Sequence, residues 1–70
     1  MVYEIDVNWD DEAGVWCMVC DNIPLALESH SFDALVARTK IAAYEILELN
    51  GKLNPNIQLC FKTTHLERIT

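Results

Sequence analysis

Residues 2–8, VYEIDVN, alternate apolar and polar positions: Tyr3, Ile5 and Val7 fall on one side, Glu4, Asp6 and Asn8 on the other. That period of two predicts a strand with one face buried and one in water. WDDEAG (9–14) reads as a turn, with Gly14 able to adopt a positive φ. VWCMVC (15–20) is apolar throughout and rich in β-formers, so it predicts a second strand in a hairpin with the first. DNIP ends that strand, because Pro24 lacks an amide proton and restricts Ile23. LALES (25–29) predicts a short third strand.

The period then changes. Phe32, Leu35, Val36, Thr39, Ala42, Ala43, Ile46 and Leu49 follow the spacing of one helical face, while Arg38, Lys40, Glu45 and Glu48 fall largely elsewhere. Ser31 stands at the N-cap position, and Asp33 puts a negative charge in the first turn, where the helix dipole favours it. Asn50-Gly51 stops the helix, either residue being suited to a left-handed cap. After the loop KLNPN, alternation at Ile57, Leu59 and Phe61 predicts a last strand within 57–69. The order is β-β-β-α-β, a single small α+β domain over residues 1–70. It consists of a three-stranded antiparallel meander, one helix, and a final strand returned beside the first by a right-handed crossover.

Seventy residues make one domain whose small core leaves stability marginal, a condition often relieved by self-association, disulfides or metal. MVYEIDVNWDD lacks the basic start and apolar run of a signal peptide, and residues 32–49 carry too many charges to span a membrane. Three cysteines, an odd number, argue against a secreted disulfide framework and for a reducing cytoplasm. Charge is unevenly placed. Residues 1–37 hold eight acids and no Lys or Arg, a net −8, whereas residues 38–70 sum to +2. Such a field repels nucleic-acid backbones, so no direct nucleic-acid binding is expected, and it steers a basic protein partner.

The pair Cys17-x-x-Cys20 is the motif that most resembles chemistry. On a strand, residues three apart point to opposite faces, so these two thiols diverge and neither share a metal nor close a disulfide. They read as small hydrophobes, with no metal or cofactor implied. Asp6, Glu28 and Asp33 are candidates for an acidic metal cluster, but Asp6 shares its polar face with Glu4 and Asn8, and exposure accounts for it. His30 and His65 read as surface histidines, since no nucleophile or glycine-rich loop accompanies them in sequence. The expectation is a protein without catalytic residues.

Apolar surface is left over. The second strand is apolar on both sides, with Val15, Cys17 and Val19 on one and Trp16, Met18 and Cys20 on the other. One helix covers one side only, and an uncovered apolar patch marks an interaction site.

The stretch VNWDDEAGVWCMVCDNIPLALESHSFDALVARTKIAAYEILELNG resembles the core of HicB-like antitoxins and their small relatives, most specifically in DDEAGVW, DNIPLAL and the spacing to the helix. The pattern covers residues 2–50, and element order extends it to about 66. Leu25 replaces a glycine found after the proline in many relatives. No ribbon-helix-helix or helix-turn-helix segment follows the core, so no separate DNA-binding domain is expected. The resemblance implies a truncated ribonuclease H-like fold without catalysis, often dimeric or tetrameric, that neutralises a small basic messenger-cleaving toxin of the HicA type. Asp10, Asp11, Glu12 and Asp21, with Trp16 and Met18 as apolar anchors, are the candidate partner contacts. The alternative expectation is a self-associating structural or small-ligand-binding module with no toxin, using Trp16 and Met18 in a homodimer. With or without a toxin, a homodimer or higher homo-oligomer is expected, formed through the edge strand at 57–66 or through the sheet face carrying Trp16.

Overall fold

A computed structural model describes residues 1–63, 66 and 68–70. The elements are β1 (Val2–Asp10), β2 (Val15–Cys20), β3 (Leu25–Ser29), α1 (Phe32–Leu49) and β4 (Gln58–Thr63). They form one four-stranded sheet in the order β3-β2-β1-β4. The β1–β2 and β2–β3 pairs are antiparallel, and β4 lies parallel to β1 with Val2 beside Gln58 and Val7 beside Thr63. The last strand does return beside the first. His65, within the stretch expected to end that strand, lies outside the described residues.

Two glycines set the turns that the chain needs. Gly14 closes the hairpin at φ 67° and donates its N–H to Asp10 O at 2.8 Å. Gly51 takes the left-handed cap of α1 at φ 66°, and the Gly51 and Lys52 amides bond back to Glu48 O and Leu47 O, the Schellman arrangement. At the other end Ser31 Oγ accepts the Ala34 amide, so the expected N-cap is in place.

The core lies between α1 and one sheet face. It gathers Tyr3, Ile5 and Val7 of β1, Met18 and Cys20 of β2, and Leu35, Ala43 and Leu47 of α1. Ile23, in the connection read from sequence only as a strand break, is 1% exposed and belongs to the same core. Thr39 is wholly buried, and its Oγ1 donates to Leu35 O at 2.7 Å, which satisfies the hydroxyl within the helix. Leu49, expected on the buried face, is 87% exposed, and Leu47 takes its place. The buried positions Leu35, Thr39, Ala43 and Leu47 are four apart. Each such step rotates about 40° around a 3.6-residue helix, so the covered stripe winds toward Leu47 and away from Leu49.

Candidate partner-binding surface

Strand alternation decides which side chains are available. Met18 and Cys20 of β2 point under α1, so the helix covers the even-numbered side of that strand. Cys17 and Val19 point to the opposite, helix-free face, where Val19 is 52% exposed. Cys17 and Cys20 therefore lie on different faces of the sheet. Cys20 Sγ, on the buried side, donates to Glu4 O, while Cys17 Sγ lies 4.0 Å from Glu28 Oε2. Partial desolvation, then the charges of Glu28 and Asp10, hold the Cys17 thiol above its ordinary value, which keeps it a poor nucleophile.

The register spreads a row of acids across the helix-free face. Glu4, Asp6 and Asp10 project from β1, and Glu28 sits on β3 opposite Cys17. The strands carry a single cation, Lys62, whose Nζ donates to Glu4 Oε1 at 2.7 Å. That hydrogen bond, then the charge of Glu4, raises the Lys62 ammonium above its ordinary value. Between the acids lie Val2, Val19 and Ala26, all exposed. The surface is an acidic lattice with apolar gaps.

The sequence-selected residues divide into three groups. Asp10, Asp11, Glu12 and Trp16 do come together at the hairpin end of the sheet. Two of these acids also hold the turn: Asp10 Oδ1 accepts the amides of Glu12 (3.1 Å) and Ala13 (3.2 Å), and Asp11 Oδ1 accepts the Trp9 indole N–H. Trp16 is half-buried on the helix side, its ring 5.2 Å from Trp9 and 5.3 Å from Phe32, so it belongs to an aromatic row at the helix entrance. Asp21 is exposed but follows the far end of β2, remote from the hairpin turn. Met18 is 0% exposed in the core and offers no surface to a partner. The residues that sequence reasoning passed over as partner contacts are Asp6, Glu28 and Val19. Their signal was the alternation itself, once the covered face of β2 is known.

Among the described residues no three His, Cys, Asp or Glu side chains are grouped so as to hold a metal ion. Asp6 and Glu28 share the open face but stand on strands separated by β2, and Asp33 is on the helix. His30 Nδ1 lies 3.0 Å from Gly14 O, tying the end of β3 to the hairpin. Among the described residues no helix is long and apolar enough to cross a membrane.

A family model described as a domain of unknown function (DUF1902) matches residues 2–70. The chain belongs to this family. The crystal structure of a hypothetical protein from the extremely thermophilic bacterium Thermus thermophilus is similar at 31% identity and a TM-score of 0.82, covering 99% of this chain and 100% of that one. No curated protein matches the chain. The DUF1902 likeness thus extends over every element described above, including the parallel return of β4.

Proposed function

We propose that this DUF1902 domain is a non-catalytic protein-binding module of the HicB-like antitoxin kind, acting in the cytoplasm on a small basic messenger-cleaving toxin of the HicA type. The observation that carries the reading is the coincidence of charge and exposure: the sheet face without a helix bears Glu4, Asp6, Asp10 and Glu28, and its one strand-borne cation is tied to Glu4. An enzyme that cleaves RNA presents a basic surface to its substrate. A rigid acidic sheet face matches such a surface, and its field raises the rate of encounter. Val2 and Val19, each 52% exposed, supply the apolar contact that charge alone does not.

The test is the binding of this chain to a small basic toxin of the HicA type, followed by stopped-flow kinetics at several salt concentrations. Asp6→Asn, Glu12→Gln and Glu28→Gln together remove three charges and leave the turn bonds of Asp10 and Asp11 intact. The expected result is association slowed several-fold with a flatter salt dependence, and weaker suppression of RNA cleavage by the toxin. An association rate and salt slope equal to those of the parent would remove the physical basis of this reading.

A further inference from the structure

The two edges of the sheet are unlike. β4, at one edge, carries Lys62, and a lysine on an edge strand discourages further pairing. β3, at the other edge, carries no Lys or Arg. Acids border it: Asp21 in the turn before it, Glu28 on it and Asp33 in the first turn of α1, all exposed. Its side chains divide by face. Ala26 and Glu28, opposite Val19 and Cys17, stand exposed on the helix-free side, whereas Leu25 and Leu27 are half-buried against the core.

The backbone of β3 reveals which of its groups point away from the sheet. In an antiparallel pair, residues opposite one another exchange both hydrogen bonds or neither. Glu28 lies opposite Cys17, and its carbonyl accepts from Arg38 Nη1 of α1 at 2.9 Å, so it is turned away from β2. The Glu28 amide then points outward too, and Ala26, two positions earlier, repeats that orientation. Arg38 holds the place at Glu28 O that the N–H of an adjoining strand would take.

We infer that β3 is the docking edge for an extended basic segment of the partner protein, added beside it as a further strand, with Arg38 guarding that edge until the segment arrives. The inference rests on the reading of a basic partner and names the element that holds it. The five residues of β3 span about 17 Å, room for one short strand. The added strand must alternate. Basic side chains fall beside Ala26 and Glu28, continuing onto the acidic face, and apolar ones fall beside Leu25 and Leu27. A second copy of β3 would set acid against acid, so charge selects a foreign segment over a copy of this one. Backbone bonds supply the affinity and alternation the selectivity.

The test titrates the isotopically labelled full chain, followed by NMR, with an end-blocked heptapeptide of alternating Lys and Val. A peptide of the same composition with its valines adjacent is the control. The expected result is millimolar binding of the alternating peptide, with shift changes and slowed amide exchange centred on Ala26 and Glu28 and absent from β4. Arg38→Met frees the Glu28 carbonyl and removes a like charge, so it should lower the dissociation constant roughly 3-fold, the effect of one exposed charged contact. Ala26→Pro deletes an outward amide that β2 does not use, and should raise the constant about tenfold or more while circular dichroism stays that of the parent. No binding at several millimolar peptide, equal binding of the two peptides, or protection at β4 instead of β3 overturns the inference. So does weaker binding by Arg38→Met, or unchanged binding by a folded Ala26→Pro. The reading of the acidic face fails separately, in the salt dependence of toxin association, which peptide binding at β3 does not measure.

Discussion

Met18 and Val19 are neighbours in β2, similar in character, and separated by the whole thickness of the sheet. Met18 is 0% exposed under α1 and Val19 52% exposed on the other face. Met18→Ala should cost about 2–5 kcal/mol, the lost transfer energy plus the cavity left in a packed core. A chain of this length has roughly 3.5–10 kcal/mol of total stability. Even the low end of that cost lowers Tm by about 8–16 °C, and the high end unfolds a marginal parent. Val19→Ala removes two carbons that are already half in water, so its cost should stay below about 1 kcal/mol. Urea unfolding followed by tryptophan fluorescence, with both variants at one fixed protein concentration, measures the difference. The fixed concentration matters because self-association shifts apparent stability. Equal costs for the two substitutions would refute the assignment of faces, and with it the open acidic surface.

Ser31→Ala removes the oxygen that accepts the Ala34 amide and should destabilise by about 0.5–2 kcal/mol; superimposable thermal melts would show that the bond contributes nothing. The raised Cys17 thiol should react slowly with iodoacetamide at mildly alkaline pH, because desolvation and the charges of Glu28 and Asp10 disfavour its thiolate. As its folded value lies above the ordinary one, the thiolate forms only at higher pH. Glu28→Gln should move the onset of reaction to lower pH, as read by mass spectrometry of the modified peptide, and an unchanged profile would discount the charge of Glu28.

Alternation and capping carried most of the fold into view. The Tyr3-Ile5-Val7 row, the divergent Cys17 and Cys20, and the Ser31 cap with a left-handed residue at Asn50-Gly51 all follow from local rules that tertiary structure did not override. The covered face of β2 was illegible, because VWCMVC is apolar on both sides and periodicity then has no sign. Met18 consequently looked as suitable for a partner as Val19. Ile23 was hidden for another reason: a residue before proline reads as a break, and nothing local shows that its side chain turns inward. The double use of Asp10 and Asp11, as charges and as acceptors for the turn, required coordinates.

The parallel register of β4 against β1 also gives the chain a schedule. Met1 O accepts the Gln58 amide, and its ammonium group donates to Asn56 O, so the start of β1 is held by residues more than fifty positions later in the chain. The hairpin, third strand and helix are built from near neighbours in sequence and can form early. Closing β4 onto β1 waits for a loop that encloses all of them, the slowest kind of contact to find. Until then β1 is itself a sheet edge, with Val2, Tyr3 and Ile5 close to unpaired backbone. During synthesis β1 precedes β4 by most of the domain, so of this sheet's strands it is the one left longest open to the wrong neighbour.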